Sequence, residues 1–139
     1  MLKKSVALIL LASSLLMGEI LWQPSYRQAR EEAVKTKRPM MVILVSHTCR
    51  WCRKLESRTL NNPQVVDFVN DNFVPVIVYR EEGNYPQERI HSPYVPATFF
   101  LTPDGKEIMK PTVGYWEPHD YMSDLVMAAR KFKTLRSPR

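Results

Sequence analysis

The sequence predicts an α/β domain, a three-layer α/β/α sandwich around a central mixed sheet of four to five strands, and three observations carry that prediction. Met40–Val45 is an unbroken apolar run, the pattern of a strand covered on both faces. A helical pattern separates it from a second run rich in branched residues, residues 73–79, which is the order of a parallel crossover. Later, Pro103, Asp104, Gly105 and Lys106 read as a turn between two short strands, the mark of an antiparallel hairpin.

Taken in order, residues 1–4 carry Lys3 and Lys4, and residues 5–18 are uncharged and mostly Leu, Ile, Val and Ala up to the first acid, Glu19. This reads as an export signal, since fourteen such residues fall short of the roughly 20 that span a bilayer. Leu16 stands where cleavage after Gly18 wants a small residue, so residues 1–18 read as a signal peptide or a retained anchor. The domain then occupies residues 20–133, with a basic tail at 134–139. Ser25 can cap a helix whose stripe is Tyr26, Ala29, Ala33 and Val34, ended by the charges at 35–38 and by Pro39. After the first strand a helix is expected over residues 49–60, stopped by Asn61, Asn62 and Pro63. Pro63 can open another through Val65, Val66, Phe68 and Val69. A polar connection covers residues 80–94, strands are expected at 98–102 and 107–110, and a helix at 118–133 closes the domain, with Met122, Leu125, Val126 and Ala129 at core spacing.

The 139 residues, with a formal charge of +6 scattered along the chain, leave room for one core and give no reason to expect nucleic acid as a partner. Basic residues do crowd the carboxyl end, at Arg130, Lys131, Lys133, Arg136 and Arg139. They suit a solvated helix end or an acidic surface. No Gly-rich phosphate loop and no paired acidic site supports a nucleotide cofactor or hydrolysis.

The chemistry centres on the two cysteines, Cys49 and Cys52, separated by Arg50 and Trp51 where a buried strand turns into a helix. A thiolate there is stabilised by unpaired backbone N–H groups and the helix dipole, and Arg50 and Arg53 add positive charge. Cys49 is therefore expected to have a lowered pKa and to attack, and Cys52, one turn on, to resolve the mixed disulfide. A structural disulfide and a zinc or copper site using Cys49, Cys52 and His47 stay open beside this reading. Covalent haem does not, because Arg53 stands where its histidine is needed. Glu56 shares a helical face with Cys52 and is either a proton acceptor for that thiol or half of a surface pair with Arg53 or Lys54. Trp51 is either a partner contact or surface packing. His91 and His119 read as surface residues.

Two separated motifs resemble the thioredoxin superfamily: residues 40–56, including His47, Thr48, Cys49, Arg50, Trp51 and Cys52, and the stretch Tyr94, Val95, Pro96, Ala97, Thr98. The first, with Asn62, Pro63, Val65 and residues 73–75, is most similar to exported proteins related to the periplasmic carboxy-terminal domain of the membrane thiol:disulfide interchange protein. The resemblance implies a cis-proline at Pro96, with Val95 and Pro96 beside the cysteines and presenting backbone to an extended substrate. It further implies a thiol:disulfide oxidoreductase acting on protein thiols and disulfides, with no cofactor beyond the cysteine pair. For a reductant in an oxidising space it implies a membrane electron-transfer partner. The expected location is periplasmic, with a possible inner-membrane tether through residues 5–18. An oxidant and a non-catalytic binding module built on Val95 and Pro96 are the rivals. Thioredoxin carries a buried Asp in the strand ahead of its cysteines; here Ile43 takes that place, so proton handling must differ.

Overall fold

The computed structural model describes residues 18–137. The signal or anchor expected at 1–18 lies outside them except for Gly18, as do the last two residues of the basic tail. The elements are α1 (Tyr26–Thr36), β1 (Met40–Val45), α2 (Arg50–Ser57), a 3-10 turn (Thr59–Asn61), α3 (Pro63–Asn72), β2 (Val74–Tyr79), β3 (Ala97–Leu101), β4 (Glu107–Val113) and α4 (Pro118–Arg136).

Among the described residues the sheet has four strands in the order β2-β1-β3-β4. β1 pairs parallel with β2 and antiparallel with β3, and β3 pairs antiparallel with β4. The segment ahead of α1 adds one backbone bond to β2, Gln23 N–H to Pro75 O at 2.9 Å, and no fifth strand. Pro75 and Pro111 both sit in edge strands, where the missing N–H costs no ladder bond.

Strand alternation sorts the core into two layers. Met40, Val42 and Leu44 face Tyr26, Ala29 and Ala33 of α1, with Val76 and Phe99 beside them. Met41, Ile43 and Val45 face the other way, among Leu55, Val65, Phe100 and Leu125, under α2, α3 and α4. All six β1 residues are buried, which is why no polar period appears in that run. Helix starts follow the sequence. Ser25 Oγ accepts the Gln28 N–H at 3.2 Å, and Asn62 Oδ1 accepts from Gln64 and Val65 ahead of α3, with Pro63 in its first turn.

Three boundaries differ from expectation. The helix expected over 49–60 ends at Ser57, Arg58 caps it with its N–H still donating to Lys54 O at 3.0 Å, and a 3-10 turn completes the span, pinned by Thr59 Oγ1 donating to Trp116 O at 2.5 Å. β4 runs on to Val113, because an edge strand tolerates Pro111. α4 continues to Arg136, whose guanidinium donates to Lys37 O at 2.9 Å and holds the last turn. Elsewhere the strands shift by a residue or so.

Candidate active site

β1 delivers the chain through Ser46, His47 and Thr48 to Cys49, the N-cap of α2. An N-cap position leaves the first-turn N–H groups without helical partners, and here the sulfur takes the place that Ser or Asp fills elsewhere. Cys49 Sγ accepts the Cys52 N–H at 3.0 Å. The two cysteines are joined as a disulfide with Cα atoms 5.2 Å apart. Their exposures differ: Cys52 is 2% exposed and packs in the layer with Ile43, Val45 and Leu55, while Cys49 is half-buried at the edge of that layer.

The second motif lies against the first. Cys49 Sγ is 3.7 Å from Val95 O, and the Val95–Pro96 peptide bond is cis. Pro96 is buried, and its carbonyl accepts the Gly114 N–H at 2.7 Å, which ties the loop to the end of β4. Gly114 has φ 92°, a region side chains resist.

Trp51 is 54% exposed yet touches the domain on one side, its ring 6.0 Å from that of Tyr115. Lys54 Nζ sits over both rings, 5.1 Å from Trp51 and 4.5 Å from Tyr115, a doubled cation–π contact. Beside these rings and Val95 a hollow of about 580 Å³ opens, lined also by Gly114, Trp116, Glu117 and Asp120. Packing and exposure are therefore both true of Trp51. Arg50 is exposed on the same turn.

Glu56 does not pair with either basic neighbour among the described residues. Arg53 turns away to donate to His47 O at 3.0 Å, and Lys54 is held over the rings. Glu56 instead lines a hollow of about 350 Å³ with Glu19, Trp22, Leu60 and Tyr79. Burial raises its pKa above the ordinary carboxylate value, and the charge of Arg53 offsets part of that rise. Ile43, where the resemblance would have had a buried acid, is fully buried in the apolar layer that holds Cys52.

His47 is engaged elsewhere. Its ring stacks on Tyr79 at 4.1 Å and its Nε2 lies 3.4 Å from Glu82. Next to it Ser46 Oγ donates to Glu81, and that bond, chiefly, lowers the Glu81 pKa. Among the described residues no group of three or more His, Cys, Asp or Glu is placed to hold a metal ion. With both sulfurs in the disulfide, the oxidised chain has no thiolate to offer one. His91 and His119 are exposed, His119 beside Asp120 at 3.6 Å.

Three contacts had no signal in the sequence: the Lys54 seat on Tyr115, the hollow that Glu19 and Trp22 build around Glu56, and the Ser46–Glu81 bond. Each joins residues separated by more than a loop. Only a three-dimensional pairing could have found them.

Residues 21–103 match the family described as thioredoxin-like. Over 110 residues the chain is 30% identical to spermatogenesis-associated protein 20 of Rattus norvegicus, an alignment covering 71% of this chain and 13% of that protein. The chain thus spans 13% of the length of that curated relative. Among solved structures it resembles a thioredoxin from Thermus thermophilus, with TM-score 0.73 and 23% identity over 87% of this chain and 95% of that one. It also resembles the oxidised DsbD carboxy-terminal domain of Neisseria meningitidis, with TM-score 0.57 and 20% identity over 73% of this chain and 91% of that one. At those identities the likeness is one of fold. A thioredoxin-like fold with a Cys-x-x-Cys disulfide at the head of a helix is the equipment of thiol:disulfide exchange.

Proposed function

We propose, since this chain belongs to the thioredoxin-like family, that it is a thiol:disulfide oxidoreductase which reduces disulfides in exported protein substrates by cycling Cys49 and Cys52. The single observation that carries the reading is the asymmetry of the pair: a half-buried sulfur at a helix N-cap, facing the Val95 carbonyl, bonded to a sulfur that is almost wholly buried.

In the dithiol form the Cys52 N–H and the start of α2 stabilise a Cys49 thiolate. That thiolate attacks a substrate disulfide, forming a mixed disulfide and releasing one substrate thiolate. Cys52 then loses its proton and attacks Cys49 Sγ, so the internal disulfide forms and the second substrate thiolate leaves. Two electrons pass to the substrate, and the two thiolates it releases take up protons. Trp51, Arg50, Val95 and Pro96 border the path of that substrate. Glu56 is the proposed acceptor of the Cys52 proton, because it stands one turn past Cys52 on α2 and, among the described residues, no side chain forms an ion pair with it; burial raises its pKa above the ordinary carboxylate value.

The reductant direction follows the likeness of the Cys49–Glu56 stretch to the exported family. Export to the periplasm is proposed from the two lysines and the uncharged apolar stretch of residues 1–18, and a membrane electron-transfer partner that restores the dithiol from the same likeness. In an oxidising compartment a reductant exhausts itself after one turnover unless it is resupplied.

The experiment is insulin reduction by the full chain with dithiothreitol as electron source. Wild-type protein is expected to speed precipitation of the freed insulin chains well above the dithiothreitol background. Glu56→Gln is expected to slow turnover on the order of 100-fold through the resolving step, with mixed disulfide accumulating. Its stability moves the other way. A carboxyl whose pKa is raised on folding holds its proton longer in the folded chain, so stability falls as pH rises from the ordinary carboxylate value through the raised one. Glu56→Gln should therefore melt higher than wild type at neutral pH and equally with it below the carboxylate range. A wild-type rate no faster than background would overturn the function, and a Gln variant with wild-type turnover would remove Glu56 from it.

A further inference from the structure

We infer that the end of the sheet opposite the disulfide is a docking face for an anionic phospholipid surface, presented by the last turns of α1 and α4. β1 begins at this end with Met40 and finishes beneath Cys49, six residues and so about 20 Å away. Two hollows adjoin there. One, of about 420 Å³, is lined among others by Val34, Lys37, Leu135 and Arg136; the other, of about 170 Å³, shares Lys37 and Arg136 and adds Arg38 and Lys133.

The arrangement is cations around exposed apolar side chains. Val34 is 58% and Leu135 64% exposed, although most large apolar residues of this domain lie in its two core layers. Lys35 and Lys131 are exposed on the same terminal turns. Of the acids lining the hollows, Asp104 is taken by Thr102 and by Lys106 at 3.6 Å, which leaves Asp71 against the basic set.

The face is also built as one surface. Arg136 donates to Lys37 O at 2.9 Å and lies 5.4 Å over the Phe132 ring, so the ends of α4 and α1 are tied together. Arg38 donates to Asn70 O and Phe73 O, and Asn70 in turn holds the backbone of Glu19 and Leu21.

Basic groups flanking exposed apolar side chains match the headgroup region of a membrane, where the cations meet phosphates and the apolar groups enter the acyl boundary. A nucleic acid would use the cations and leave Val34 and Leu135 in water. Docked this way, the disulfide points away from the lipid, toward incoming protein. The inference is independent of the redox reading.

The test is sedimentation of the full chain with vesicles of pure phosphatidylcholine and with vesicles containing phosphatidylglycerol, at low and at 0.5 M salt. Wild type is expected to favour the anionic vesicles, and the preference to fade at high salt. The triple variant Lys37→Glu, Lys133→Glu, Arg136→Glu is expected to lose that preference by about 100-fold while keeping its helical circular dichroism and its Cys49–Cys52 disulfide. Leu135→Ser should weaken binding without altering its salt dependence. Equal binding of wild type and triple variant to both vesicle types would overturn the proposal and assign the attachment to residues 5–18. So would displacement from anionic vesicles by equimolar single-stranded DNA or polyglutamate, which would mark the face as one for nucleic acid or for an acidic protein.

Discussion

Cys52→Ser is expected to stop the cycle halfway and leave the chain covalently attached to its substrate. Cys49 keeps its place at the helix N-cap and its exposure, so it still attacks; what is lost is the buried sulfur one turn away that would release the product. Incubated with a disulfide-bonded protein, the variant should accumulate a mixed disulfide visible as a mass shift on non-reducing gels and abolished by dithiothreitol. Cys49→Ser should form none, because the remaining thiol is 2% exposed and cannot meet a folded partner. Both variants should fall to the uncatalysed rate in turnover. The opposite result, adducts with Cys49→Ser and none with Cys52→Ser, would exchange the two roles.

The second large effect concerns stability. Tyr121→Ala is expected to destabilise the oxidised protein by about 3–5 kcal/mol. Tyr121 is 1% exposed at the start of α4, and its hydroxyl meets Thr98 Oγ1 at 2.6 Å near the start of β3, two residues past Pro96. Burial pushes the phenol's pKa far above its ordinary value, so it stays neutral and serves as a hydrogen-bonding group. Removing the ring opens a cavity and leaves the Thr98 hydroxyl, itself 1% exposed, without its partner. Tyr121→Phe keeps the volume and should cost only about 1–3 kcal/mol, the orphaned hydroxyl alone. Urea denaturation of the two variants separates these contributions. A loss below 1 kcal/mol for Tyr121→Ala would contradict the contribution assigned to its buried ring and its bond to Thr98.

Much of this was legible in the sequence because the strongest signals were local. Met40–Val45 is apolar at every position, and Ser25 and Asn62 cap helices with their own side chains. The Cys49–Cys52 spacing suits a helix N-terminus, and the motif carrying Val95 and Pro96 sits against it. The misreadings were also physical. Nothing in residues 49–60 marks a stop at Ser57, because the break depends on Thr59 reaching Trp116, 57 positions away. Pro111 looks like the end of a strand until β4 is known to be an edge. The environment of Glu56 was invisible for the same reason: Glu19 and Trp22, which line the same hollow, come from ahead of α1 in the sequence, while Lys54, an expected partner, is drawn off by Tyr115.

The measurement that tests the central claim most directly is the equilibrium titration of the Cys49–Cys52 couple against thiol buffers, with free thiols trapped and counted. A reversible two-electron couple near thioredoxin's potential, about −270 mV, is the predicted result for a reductant. A potential near −120 mV would reverse the direction and make the chain an oxidant of its substrates. A pair that no buffer reduces without unfolding the protein would contradict the catalytic account itself.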